Sequence, residues 1–91
     1  VTREQISAML LRTLQAAMPN VPTTAEFKTQ FHDINNISPW ALEAVRFMNG
    51  NGILNGSTLS DGTSYILPQG NTTREQAILL VLRLYNAFYK I

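Results

Sequence analysis

Two arginines, Arg3 and Arg74, occupy the same position of a repeated motif that could bind an anion. Both belong to the tetrapeptide Thr-Arg-Glu-Gln, which fills residues 2–5 and again residues 73–76. A guanidinium group beside the free N–H groups at the start of a helix can hold a carboxylate or a phosphate. An arginine that simply lies in solvent or pairs with a nearby acid is equally compatible with the sequence.

The motif itself predicts the start of a helix. Thr73 can accept a hydrogen bond from the N–H of Gln76, while the Gln76 side chain returns to the N–H of Thr73, and Thr2 and Gln5 stand in the same relation. A cation in the first turn opposes the helix dipole, so its presence in both copies indicates a use beyond stability. Leu-Arg at residues 11–12 recurs at residues 82–83, again 71 positions later, which indicates an internal repeat.

The first of three predicted helices spans residues 2–18 and ends at Pro19. Its apolar residues recur at helical spacing and predict one buried stripe, formed by Ile6, Met9, Leu10, Leu14 and Ala17. The loop of residues 19–37 follows, in which Phe27 and Phe31 are expected to anchor the chain to the core.

The second predicted helix spans residues 38–49, with Ser38 as its N-cap and Pro39 in its first turn. We expect one buried stripe, made of Trp40, Ala41, Ala44, Val45 and Met48, and an opposite face of Glu43, Arg46 and Asn49. Gly50 is expected to end the helix in the left-handed conformation. A glycine-rich loop over residues 50–72 follows, in which an extended piece at residues 65–68 could pair near Leu54.

The third predicted helix, residues 73–89, is apolar around most of its circumference. Its polar strip is limited to Arg83, Asn86 and Lys90. An amphipathic surface helix has a wider polar face. This helix is therefore expected to lie at the centre of the domain or to pack against a second copy.

Composition narrows the possible functions. A net charge of +1 over 91 residues argues against nucleic acid as the partner, because phosphate binding needs a concentrated basic face. The absence of cysteine removes disulfides and thiolate metal sites, and no apolar run is long enough for membrane insertion. We expect neither a metal nor a cofactor. The start at Val1, directly before the first motif, suggests a piece of a longer protein.

Several short signatures together resemble one S-layer homology repeat, a unit of bacterial cell-surface proteins. In order they are Phe31-x-Asp33-Ile34, Ser38-Pro39-Trp40-Ala41, Ala44-Val45, Gly52-Ile53-Leu54-Asn55-Gly56, Tyr65-x-x-Pro68 and Thr73-Arg74-Glu75-Gln76. The resemblance implies an all-α fold: a small three-helix bundle with a glycine-rich loop and at most a tiny two-stranded element. It divides the chain into the second half of a preceding repeat, residues 1–22, and one repeat, residues 23–91.

The resemblance also implies a function outside the cell. It suggests non-covalent anchoring, at the bacterial cell surface, to an acidic secondary polysaccharide attached to peptidoglycan, often one that carries a pyruvate ketal. The matching ligand-binding positions are Arg3, Asp33, Trp40, Gly56 and Arg74. Neighbouring repeats or a second copy of the chain are further expected partners.

Each of these residues also has a purely structural interpretation. Trp40 could stack on a sugar, but a core position is favoured. Asp33 could bind the hydroxyl groups of a sugar or cap the turn before Ser38. Gly56 could allow a ligand to approach the backbone or could simply form a turn. His32 beside Asp33 lacks a placed nucleophile, so we do not expect an enzyme. The alternative function is a structural or oligomerisation module without carbohydrate affinity.

Overall fold

The computed structural model describes residues 1–89, which form three α-helices and one small sheet, and this confirms the predicted all-α class. The helices are α1 (Arg3–Ala17), α2 (Leu42–Gly50) and α3 (Arg74–Phe88). Single turns of 3-10 helix cover Ile34–Asn36 and Pro39–Ala41. Lys90, predicted as part of the polar strip, lies outside the described residues. Within residues 1–89 none of the helices is long and apolar enough to span a membrane.

Both predicted capping boxes are confirmed. At α1, the Thr2 hydroxyl accepts from the N–H of Gln5 at 3.2 Å, and the Gln5 side chain accepts from the N–H of Thr2 at 2.9 Å. At α3, Thr73 and Gln76 form the same pair of bonds at 3.1 and 3.0 Å. The repeated tetrapeptide therefore starts two helices in the same way.

The buried face of α1 differs from the predicted stripe. Ile6 and Leu14 are buried as expected, but Met9 is 55% exposed, Leu10 is half-buried and Ala17 is exposed. The remaining buried positions are Glu4, Ser7 and Leu11. The helix is rotated relative to the predicted stripe because the Glu4 carboxylate accepts two hydrogen bonds from Ser38, and the Ser7 hydroxyl can be buried because it donates to the carbonyl of Arg3.

The N-terminal part of α2 also departs from expectation. A 3-10 turn precedes the α-helix, and Ser38 makes no capping bond with its side chain. Trp40 is 60% exposed, so its predicted place in the core is wrong. Ala41, Ala44, Val45 and Met48 are buried as predicted, together with Phe47.

The predicted positions of two residues at the end of α2, Asn49 and Gly50, are also wrong. Asn49 is buried rather than solvent-facing, because its side chain accepts from the N–H of Lys28 at 3.0 Å and donates to the carbonyl of Leu54 at 2.9 Å. Gly50 is the last helical residue, and the left-handed glycine is Gly52, with φ +75°. A side chain at Gly50 would collide with the loop that precedes α2.

The sheet is a two-residue hairpin. β1 (Ser57–Thr58) pairs antiparallel with β2 (Ser64–Tyr65), slightly beyond the predicted partner near Leu54. After β2 the chain turns at Leu67, which has φ 55° instead of the expected extended conformation. This turn brings residues 68–71 against the start of α1, where Thr2 and Asn71 form an antiparallel bridge.

Helix α3 confirms the predicted third helix but uses only part of its apolar surface. Leu80 and Leu84 are buried, and Phe88 stacks on Phe47 with ring centroids 5.5 Å apart. A second face is open to solvent and includes Ile78, Leu82 and Tyr85, each more than half exposed. The sequence predicted that this helix lies at the centre of the domain or packs against a second copy. The exposed face argues against the central location.

Candidate functional site

The start of α1 is closed by the chain itself. The N–H of Arg3 donates to the carbonyl of Gly70 and that of Glu4 to the carbonyl of Pro68, both at 2.9 Å. With Gln5 bonded to Thr2, every N–H of the first turn has a protein partner. The prediction that free N–H groups bind an anion is therefore wrong at α1. Only the Arg3 side chain remains available there.

That side chain borders a depression of about 180 Å³ between the start of α1, the turn after α2 and one face of α3. We call this depression the arginine cleft. Two arginines line it, together with three polar and three leucine residues: Arg3, Arg83, Asn55, Thr72, Gln76, Leu54, Leu79 and Leu80. A concave surface lined by two cations and by apolar side chains suits an acidic group carried on a sugar ring.

Both arginines of the cleft contact neighbouring parts of the chain. Arg83 donates to the carbonyl of Ile53 at 3.2 Å. The Arg3 guanidinium lies directly against Gly70, at a position that a β-carbon would occupy, so glycine is required there for this placement. Both side chains are half-buried, which strengthens their attraction for an anion relative to a fully solvated arginine.

Thr72 adds a polar group without a partner. The residue is 9% exposed, and its backbone N–H donates to the carbonyl of Val1 at 2.7 Å. Its hydroxyl is buried and makes no hydrogen bond within residues 1–89. A buried polar group without a partner costs stability, so such a group in the wall of a cleft is a natural contact for a ligand oxygen.

Trp40 lies in a different depression. It borders a second surface hollow of about 260 Å³, together with Gln5, Met9 and Arg12 of α1. Arg3 does not line that hollow, so the structure does not bring Arg3 and Trp40 into one site. An exposed tryptophan beside an arginine can still stack on the C–H face of a sugar.

Arg74 lies at a third depression, of about 290 Å³, whose other walls are apolar: Ala77, Ile78, Val81 and Leu82. The side chain is exposed. The two copies of the motif therefore have different surroundings, a polar cleft at Arg3 and an apolar surface at Arg74.

Asp33 and Gly56 are occupied by contacts within the chain. The Asp33 carboxylate is buried and accepts from the N–H groups of Ile66 and Leu67, both at 2.8 Å, which fixes the turn at Leu67. It caps this distant turn and not the one before Ser38. A side chain at Gly56 would collide with the Phe31 ring and with the carbonyl of Tyr65. Both residues therefore shape the fold on which the clefts are built.

Four polar or charged residues of the cleft were absent from the sequence prediction as binding groups: Asn55, Thr72, Gln76 and Arg83. Arg83 carried a signal, since it belongs to the second Leu-Arg pair of the repeat, whereas Thr72 carried none. Within the part of the chain that the structure describes, no cluster of histidine and acidic residues could hold a metal ion.

A comparison with known protein families finds a match to the S-layer homology domain over residues 30–78, which is more than half of the chain. The matched stretch includes α2, the hairpin and the first turn of α3. No curated protein and no solved structure matches the chain.

Proposed function

Since the chain belongs to the S-layer homology domain family, whose members anchor proteins at the bacterial cell surface and cell wall, we propose that it binds an acidic secondary polysaccharide of the wall. The acid, such as a pyruvate ketal on a sugar, would sit in the arginine cleft. The polymer is attached to peptidoglycan, so binding it would hold the protein outside the cell without a covalent bond.

The observation that carries this proposal is the composition of the arginine cleft. Arg3 and Arg83 supply two cations, and the hydroxyl of Thr72 is a donor without a partner within residues 1–89. A carboxylate offers acceptors for all three, while the leucine residues of the cleft can contact the apolar face of the sugar. An uncharged sugar would leave the two guanidinium groups without an anion.

Trp40 and Arg74 have separate places in this proposal. Trp40 would contact a neighbouring sugar of the same polymer from its own hollow beside α1. Arg74 is the counterpart of Arg3 and would serve a cleft only where a further repeat supplies the remaining walls. Asp33 and Gly56 would act indirectly, by fixing the turn and the hairpin.

The test is sedimentation of the protein with purified Gram-positive wall sacculi, before and after acid has stripped the secondary polymer. We expect binding to intact sacculi only. Replacing Arg3 or Arg83 by alanine removes a charge-assisted contact worth about 1.5–3 kcal/mol, which corresponds to roughly 10- to 100-fold weaker binding.

Arg74→Ala is the matched control, because it changes the same residue at the same helix position outside the cleft. Its binding should equal that of the parent chain. Gly70→Ala tests the placement of Arg3 without removing a charge, since the added methyl displaces the guanidinium, and it should weaken binding. Equal binding by the parent and by the Arg3→Ala, Arg83→Ala double variant would refute the site.

The second candidate is a structural module without its own carbohydrate affinity, in which residues 1–22 complete one repeat and residues 23–91 form the next. The exposed apolar face of α3 favours this alternative, because such a face is typical of a protein contact. A folded protein that binds neither intact nor stripped sacculi would support this second candidate.

A further inference from the structure

The sequence contains three Asn-Gly pairs between the end of α2 and the hairpin: residues 49–50, 51–52 and 55–56. An asparagine followed by glycine can lose its side-chain amide without an enzyme, because glycine has no β-carbon to hinder the approach of its backbone nitrogen to the asparagine side chain. The reaction requires that the side-chain amide can move and that no hydrogen bond holds the glycine N–H. The structure places the three pairs in different surroundings.

The first pair is protected by burial. Asn49 is 3% exposed, its side-chain oxygen accepts from the N–H of Lys28, and its NH2 group donates to the carbonyl of Leu54. Gly50 is the last residue of α2, and a β-carbon added there would lie 2.7 Å from the carbonyl oxygen of Glu26. A cyclic intermediate at this pair would have to break both bonds of the side chain and displace the adjoining loop.

The second pair is exposed but held by hydrogen bonds. The NH2 group of Asn51 donates to the carbonyl of Phe47 at 2.9 Å. The N–H of Gly52 donates to the carbonyl of Asn49 at 3.0 Å. Attack by the Gly52 nitrogen on the Asn51 side chain therefore requires that both of these bonds open first.

The third pair has neither kind of protection. Asn55 and Gly56 are both exposed, and the Asn55 side chain makes no hydrogen bond within residues 1–89. The N–H of Gly56, which directly precedes β1, has no backbone acceptor in the same part of the chain. Asn55 also lines the arginine cleft, together with Arg3 and Arg83.

We propose that Asn55 is a site of spontaneous deamidation, which adds a negative charge to the arginine cleft. The backbone nitrogen of Gly56 loses its proton and forms a bond to the side-chain carbonyl carbon of Asn55. The bond from that carbon to the side-chain nitrogen breaks, and ammonia leaves with a proton from the solvent. Water then adds to one of the two carbonyls of the resulting ring and opens it. One water is consumed, one ammonia is released, and the product is an aspartate linked through its α- or its β-carboxyl group.

Either product changes what the cleft attracts. Before the reaction, the described residues that line the cleft include two cations and no acidic side chain. Afterwards a carboxylate, ionised at neutral pH, offsets one guanidinium charge and repels an incoming acid. Deamidation therefore lowers the affinity of the cleft irreversibly as the protein ages. This consequence rests on the proposed function, whereas the modification itself does not.

Peptide mass spectrometry tests the modification. The protein is kept folded at mildly alkaline pH, which favours loss of the glycine N–H proton, and samples taken over time are digested with trypsin. Residues 47–74 contain no lysine or arginine before Arg74, so one peptide carries all three pairs and its fragment spectra locate the change. We expect Asn55 to convert at least about tenfold faster than Asn49 or Asn51, since these two must first break hydrogen bonds.

The control is the same chain unfolded in guanidinium chloride at the same pH. All three pairs should convert there at similar rates, because the fold no longer distinguishes them. Two results would overturn the proposal: conversion of Asn51 in the folded chain as fast as that of Asn55, or a folded chain in which Asn55 stays intact over the time in which the unfolded chain reacts.

Sedimentation with intact sacculi tests the consequence for binding. Asn55→Asp in fresh protein should bind at least about tenfold more weakly than the parent. Asn20→Asp makes the same change of charge at an exposed position outside the cleft and should bind as the parent does. Asn55→Ser has no side-chain amide to lose, so it should keep its initial affinity during the incubation that weakens binding by the parent.

The modification and its consequence can fail separately. Equal binding by the fresh parent and by fresh Asn55→Asp would overturn the effect on the cleft. A fresh parent that binds no sacculi would refute the proposed function and with it the effect on binding, while the mass spectra would still decide whether Asn55 is modified.

Discussion

Replacing Thr72 with valine should stabilise the protein and at the same time weaken its attachment to the wall. The hydroxyl is buried without a partner within residues 1–89, and a group of this kind costs about 1–3 kcal/mol. Valine keeps the branched shape and leaves the backbone bond to Val1 intact. We expect a gain of about 1 kcal/mol, which raises the melting temperature of a domain of this size by roughly 4–8 °C.

Binding should change in the opposite direction. If the hydroxyl donates to a ligand carboxylate, its loss removes a charge-assisted bond and weakens binding roughly 10- to 100-fold. Thermal unfolding followed by circular dichroism measures the first effect, and sedimentation with sacculi measures the second. Thr13→Val is the control, because Thr13 is an exposed α1 residue away from the cleft.

Two results would refute this reasoning. A variant that is less stable than the parent would show that the hydroxyl has a partner after all. Unchanged binding by a correctly folded variant would show that the ligand does not reach Thr72, and the position of the acid in the arginine cleft would have to be abandoned.

Three further predictions follow from other parts of the structure. Trp40→Ala should change the free energy of unfolding by less than about 0.5 kcal/mol, because the side chain is mostly exposed, yet it should weaken wall binding. Because Trp40 is the single tryptophan, the fluorescence of the parent should also change when it binds the polymer released from the sacculi. Asp33→Asn should cost about 1.5–3 kcal/mol in urea unfolding, since the side chain loses its charge and its NH2 group cannot accept from one of the two backbone N–H groups that the carboxylate binds. Hydrogen bonds from the Thr63 side chain and N–H lower the pKa of Asp61. The stability that the Asp61 carboxylate contributes should therefore be complete above the pKa of an aspartate in the unfolded chain, about 4, and should disappear as the pH falls through the lower pKa of the folded chain. An NMR titration should show that the pKa of Asp61 rises in Thr63→Val.

The helix starts were readable from the sequence because capping is local. Thr2 with Gln5 and Thr73 with Gln76 contain both halves of each hydrogen-bond pair within four residues. The extent of the third helix was also readable, because its apolar run is longer than a strand. Features of this kind depend on neighbours along the chain and not on the tertiary fold.

The faces of the helices were less predictable because distant partners decide them. Glu4 would be expected in solvent, yet Ser38 supplies two donors that make its burial favourable. This rotates α1 and exposes Met9, the residue that hydrophobicity alone would bury. Trp40 is likewise exposed because the 3-10 turn places it outside the stripe that a regular helix would have formed.

Some residues of the candidate site could be predicted from the sequence and others could not. Arg3 could be singled out because its motif is repeated. Thr72 could not, since the absence of a hydrogen-bond partner is a property of the folded chain. Asp33 and Gly56 were predicted as binding residues, and the contacts that the structure shows for them lie within the chain, with Leu67, Phe31 and Tyr65.

The bond between Glu4 and Ser38 has a consequence for how such proteins can change over time. The stretch that matches the family, residues 30–78, begins after α1 and stops within α3, so it does not contain the helix that fills its own groove. The stretch that matches the family and the unit that folds are therefore out of phase. A segment with these bounds that recombination moved into another chain would take its packing helix from the residues upstream of it, and only a compatible helix would give a folded product.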